Sequence, residues 1–154
     1  MRAVIQRVGR ASVVADGRQA GSIGHGLMVL FGVETADGPG VDAAEVEWLA
    51  RKIAQMRIFA DEAGLTNLSV GDVGGDILVV SQFTLFAKTK KGNRPSFIDA
   101  ARPVLAIPYY EAFVKKLSEE TGREIPTGIF GADMKIDMEA DGPFTIIIDT
   151  RNKE

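Results

Sequence analysis

The stretch Asp76–Ala87, DILVVSQFTLFA, sets three polar side chains among apolar ones: Ser81, Gln82 and Thr84. Two of them are hydroxyls, which attack a carbonyl only when a neighbouring base activates them. In a straight strand Ser81 and Thr84 point to opposite faces, which makes them poor partners in a two-hydroxyl mechanism. The bland alternative is that their hydroxyls satisfy nearby backbone, as buried polar groups must. The chain has no cysteine and one histidine. That histidine, His25, sits in the turn Gly24-His25-Gly26 with no orienting carboxylate beside it in sequence, and it reads as a solvent-facing residue. Disulfides, thiolate ligands and sites built from two or three histidines are excluded by composition.

Three other stretches invite a chemical reading. Asp141-Gly142-Pro143-Phe144-Thr145 is an ordinary turn by default; a cis Gly–Pro bond there would aim two backbone carbonyls the same way. Thr127–Met134, TGIFGADM, sets small residues beside Phe130, which either makes a tight strand connection or lets a flat ring approach the backbone. Between Lys88 and Arg94 four of seven residues are cationic: Lys88, Lys90, Lys91 and Arg94. Such a run is usually a solvated loop, but beside a reactive strand it suits phosphate.

The elements that must position these residues follow from periodicity. Val4–Val8 and Ser12–Ala15 read as strands, joined through Asp16-Gly17 to a hairpin partner, and Leu27–Val33 as a third. Asp42 opens a helix with Glu45 completing a capping box, and Val46, Leu49, Ile53 and Met56 form its buried stripe. The strand from Asp76 is apolar on both faces up to Ser81, so it is expected to be buried on both sides and to emerge there. Pro108 is placed near the start of a second helix that buries Tyr110, Phe113, Val114 and Leu117 and stops at Gly122. Met134, Ile136 and Met138 alternate with Lys135 and Asp137 as a half-buried strand, and Phe144–Asp149 is the last strand. The expected fold is α/β: residues 1–154 as one compact domain, mainly antiparallel sheets layered with helices on one side, a three-layer β/β/α arrangement.

With 154 residues, 45% hydrophobic and 25% charged, the composition is that of a soluble globular protein. No apolar run spans a bilayer and the N-terminus lacks the apolar region of a signal peptide, so a cytoplasmic protein without a membrane partner is expected. A net charge of −3 argues against wrapping DNA or other long nucleic acid and for local contact at most.

Taken together, MRAVIQRV, Met56–Phe59, Gly75–Leu85, Lys91–Phe97, Phe130–Met134 and Gly142-Pro143-Phe144-Thr145 resemble the D-aminoacyl-tRNA deacylase family nearly end to end. The resemblance implies a cofactor-free homodimer. It implies hydrolysis of the ester between a D-amino acid, or misattached glycine, and the 3′-terminal adenosine of tRNA. It places Ser81, Gln82, Phe83 and Thr84 of one subunit against a Gly142–cis-Pro143 of the other, whose carbonyls exclude L-amino acids. Phe130, Gly131, Ala132 and Met134 join the substrate site. Lys88, Lys90, Lys91 and Arg94 are assigned to tRNA phosphate. The family usually has Gly-Pro-Val-Thr preceded by Asn-Asp; here Phe144 and Ala140-Asp141 stand in those places. Two other readings compete: a small-molecule esterase using Thr84 or Ser81, and a non-catalytic module that binds RNA ends.

Overall fold

A computed structural model of the chain describes residues 1–154. In chain order the elements are β1 (Arg2–Ala15), β2 (Arg18–Ile23), β3 (Gly26–Gly32), α1 (Ala43–Gln55), β4 (Phe59–Ala60), β5 (Thr66–Leu68), β6 (Asp76–Ser81), α2 (Pro103–Thr121) and β7 (Met134–Asp149). Single 3-10 turns occupy Thr35–Asp37 and Phe83–Phe86. β1 pairs antiparallel with β2, β3 and β7, while β3 and β6 run parallel. β4 and β5 make a separate small hairpin.

The long β1 organises the molecule. Its first half lies between β3 and the end of β7; its second half lies between β2 and the start of β7. The sheet therefore curls, and its two faces enclose different cores. Ala3, Ile5, Leu27, Val29, Phe31, Ile77 and Val79 face α1 and α2 and pack on Leu49, Ile53, Phe113 and Leu117. Val8, Ala11, Val13, Ile23, Met28, Leu78 and Val80 fill the inside of the curl. This double burial explains why β6 has no polar position between Asp76 and Ser81. The outcome is two β layers with helices on one side, in a mainly antiparallel sheet whose one parallel pair is β3 with β6.

Local chemistry sets the boundaries. The Asp42 side chain accepts from the Glu45 N–H at 3.0 Å and caps α1. Gly122 closes α2 in the left-handed conformation at φ 65°. Three expectations need correction. β1 is one strand rather than two, because its irregularities at Val8 shift the register without ending the pairing. The start of α2 is filled by Pro103, whose missing N–H costs nothing in a first turn. Pro108 lies inside the helix. β7 is likewise a single strand, and its Ile136 and Met138 are 36% and 43% exposed instead of half-buried. The other edge of β7 is unpaired within the chain.

Candidate active site

A cavity of about 280 Å³ opens where the parallel strands β3 and β6 end. Open α/β sheets commonly bind ligands at the carboxyl ends of parallel strands, where the chain leaves the sheet and backbone groups become free. Phe31, Gly32 and Val33 continue one strand into the cavity wall, and Val80, Ser81, Gln82 and Phe83 continue the other. Gly32 is required there. A Cβ on it would stand 2.8 Å from the Gln82 carbonyl oxygen and 3.1 Å from the Phe86 ring. The bare backbone lets the turn after β6 fold across β3.

Strand geometry stops at Ser81. The Gln82 N–H donates to the Phe31 carbonyl at 2.7 Å, and the 3-10 turn Phe83–Phe86 begins at once. The alternation that would separate Ser81 from Thr84 therefore does not continue. Instead the Gln82 side-chain amide donates to the Thr84 hydroxyl. Thr84 is held by a side chain rather than by the backbone, and it lies outside the cavity lining. Ser81 lines the cavity. The N–H groups of Phe83 and Thr84 occupy the first positions of the 3-10 turn, where a helix supplies no partner of its own.

The opposite wall is Phe130, Gly131, Ala132, Met134 and Ile136, with Gly131 at φ 78° turning the chain into β7. Ala101 and Ala106 keep the α2 side shallow. Tyr110, which periodicity marks only as a buried helix residue, forms part of the floor. Its ring meets Phe130 at 5.8 Å, edge to face, and its hydroxyl donates to the Val79 carbonyl at 3.3 Å. Burial pushes its phenol up to about 12. Sequence reasoning misses Phe31, Gly32, Val33, Ala101 and Ala106 as well. Their only signal is position at the ends of β3 and α2, and the pairing of β3 with β6 cannot be read from periodicity.

Gly142 and Pro143 lie elsewhere. The β1–β7 ladder pairs Gln6 with Thr145 and Val8 with Ala140, so Arg7 alone stands opposite four residues, Asp141–Phe144. The surplus bulges outward, the Gly142–Pro143 bond is cis, and both residues are exposed. Arg7 anchors the bulge. Its guanidinium donates to the Asp141 carbonyl at 3.3 Å, pairs with the Asp141 carboxylate at 3.1 Å and donates to the Ile58 carbonyl at 2.5 Å. It also stacks on the Phe144 ring at 4.9 Å. Phe144 thus turns inward onto Arg7 and the helix-side core, away from the exposed Pro143.

The cationic segment is a small hairpin closed by the paired backbones of Lys88 and Ser96. Lys88 is bound to Asp99 at 2.6 Å, whereas Lys90, Lys91 and Arg94 are exposed and make no ion pair. His25 is exposed with its ring against Phe59 at 5.0 Å, as its turn suggests.

Fold and site define a class, a small curled-sheet protein whose pocket opens at the ends of two parallel strands. The chain belongs to the D-aminoacyl-tRNA deacylase family of hydrolases: a family model described as D-Tyr-tRNA(Tyr) deacylase matches residues 4–149. It is 56% identical to the D-aminoacyl-tRNA deacylase of Flavobacterium johnsoniae and 53% identical to that of Bacteroides thetaiotaomicron, over 100% of each chain. Among solved structures it is similar to one described as "c-Myc DNA Unwinding Element Binding Protein", with TM-score 0.85 and 39% identity, covering 97% of this chain and 98% of that one. A second, "a probable eukaryotic D-amino acid tRNA deacylase", has TM-score 0.84 over 96% of this chain and 97% of that one; at 17% identity it speaks for the fold alone. No helix is long and apolar enough to cross a membrane.

Proposed function

We propose that the chain is a cytoplasmic editing esterase. It hydrolyses the ester between a D-amino acid, or misattached glycine, and the 3′-terminal adenosine of tRNA, and it spares L-aminoacyl-tRNA. The observation that carries this reading is the pair of features the family pattern joins: a strand-end pocket walled by Ser81, Gln82 and Phe83, and an outward bulge carrying Gly142–cis-Pro143. Within one chain the bulge is not part of the pocket lining. A homodimer brings one subunit's Gly142-Pro143 to the other's Ser81–Thr84 turn. The free edge of β7 and the exposed Ile136 and Met138 support a second copy as the cover.

The flat, uncharged interior between Phe31, Tyr110 and Phe130 suits the adenine ring. The ester then lies at the mouth, against the Phe83 turn. The N–H groups of Phe83 and Thr84 stabilise the tetrahedral oxyanion, as preorganised donors do. Gln82 and Thr84 hold the turn that aims them. No histidine or cysteine faces the pocket. The vicinal 2′-OH of the terminal ribose assists the attack on the ester. The Gly142 and Pro143 carbonyls occupy the place of an L side chain; glycine has none to exclude. Lys90, Lys91 and Arg94 contact phosphates, with Lys88 bracing the hairpin through Asp99.

Single-turnover deacylation of matched D-Tyr-, L-Tyr- and glycyl-tRNA tests the reading. D-Tyr and glycine should be released and L-Tyr retained. Equal rates on D- and L-Tyr-tRNA would sink the backbone filter.

A further inference from the structure

The terminal adenosine is followed, at the pocket mouth, by the next nucleotide of a single-stranded RNA end. The surface it meets there is unusual. Phe83, at the rim of the pocket, is 57% exposed, and Phe97 is 37% exposed. Their rings meet edge to face at 5.2 Å, with an interplanar angle of 75°. The chain leaves more than half of Phe83 and more than a third of Phe97 uncovered, so each ring forgoes part of the burial it would gain in a core.

Phe97 is also held in place. It directly follows Ser96, which closes the basic hairpin against Lys88. The Phe97 carbonyl accepts from the Ala100 N–H at 3.0 Å, and Lys88 reaches back to Asp99 at 2.6 Å. The unpaired Lys90, Lys91 and Arg94 extend from this same hairpin. An exposed aromatic face beside free cations is how proteins grip a single strand without reading its sequence: the base stacks and the phosphate is neutralised.

We propose that Phe97, backed by the edge of Phe83, is a stacking platform for the penultimate base of the RNA end, adjoining the adenosine pocket. The inference rests on the proposed tRNA-end function and adds a second nucleotide subsite to it. Phe97 acts in binding alone, since it lies outside the pocket lining.

The test uses small esters that isolate one base. D-Tyr is attached to the 3′ end of the dinucleotide CpA, or of an analogue that keeps the phosphate but has no base at the first position. The wild-type protein should show KM about tenfold lower for CpA than for the abasic analogue, toward the low end of base stacking on one aromatic ring, with kcat within about twofold. In Phe97→Leu the two esters should converge to the abasic KM, and Phe97→Trp should restore the difference. Equal KM values in the wild type overturn the proposal. So does a difference that persists in Phe97→Leu, which would assign the base to another surface. A loss in Phe97→Leu that is equal for both esters also overturns it, because the ring would then act only by supporting Phe83. Failure of the proposed activity is separately visible, as absent cleavage of D-Tyr-tRNA by the wild type.

Discussion

Thr84 is the residue whose role the structure changes most. On the strand pattern it is a lone hydroxyl on the wrong face from Ser81. In the folded chain it accepts from the Gln82 amide and braces a turn. A bracing role predicts that Thr84→Ala keeps deacylation within about tenfold of wild type, while a substrate ending in 2′-deoxyadenosine loses about a hundredfold or more, the range of a lost acid–base partner. Single-turnover rates on both decide. A folded but inert Thr84→Ala that coexists with normal cleavage of the deoxy substrate hands the mechanism to a threonine nucleophile. Tyr110 makes a different prediction. Burial raises its phenol to about 12, above the ordinary value near 10, so the folded chain holds its proton more tightly than the unfolded one. Its contribution is complete below about pH 10 and is lost as pH rises through about 12. Denaturant midpoints measured across that window should fall, and Tyr110→Phe should fall less.

At the scale of the element, the turn after β6 depends on what β3 leaves out. Gly32 is the point of contact, and a methyl group there meets the Gln82 carbonyl at 2.8 Å. Gly32→Ala should cost about 1–3 kcal/mol, as overpacking does, and should lower activity more than stability because the displaced atoms wall the pocket. Gly24→Ala, with nothing within 4 Å of the new methyl, is the matched control. Melting temperature and kcat/KM read the two effects, and a wild-type kcat/KM in Gly32→Ala would refute the account. The Asp141–Phe144 bulge is the second such element. It is a four-for-one mismatch in the β1–β7 ladder, and Arg7 fills the gap it leaves with three carbonyl or carboxylate contacts and the Phe144 ring. The Phe144 departure from the family pattern is accommodated on this inner side.

Within one chain the strand-end pocket and the exposed Gly142-Pro143 bulge are separate, and that sets the test of assembly. If one subunit's bulge completes the other's pocket, a variant inactivated at Pro143 and one inactivated at the Phe83 turn should complement. Random exchange makes half the dimers hybrids with one intact site each, so about a quarter of wild-type activity should return. Mixing without recovery, in a preparation shown to exchange subunits, would place both parts of each site in one chain.

Much of this was legible in the order of residues. The apolar run to Val80, the cap at Asp42, the stop at Gly122 and the turn at Asp16-Gly17 are local, and local chemistry decided them. The combination of SQFTL with a late Gly-Pro-X-Thr also marks the family by sequence alone. Strand continuity was not legible. β1 and β7 each read as two strands because their irregularities break the two-residue period, while the ladder between them holds both together. Nor was the pocket. Phe31, Gly32, Ala106 and Tyr110 are distant in sequence from Ser81 and meet it only because β3 and β6 pair in parallel beneath α2. Sequence determined which residues can turn, cap, stack or carry charge, since those properties belong to single side chains and their neighbours. Which of them share a cavity depends on register and on the curl of the sheet, and these are set by packing over the whole chain.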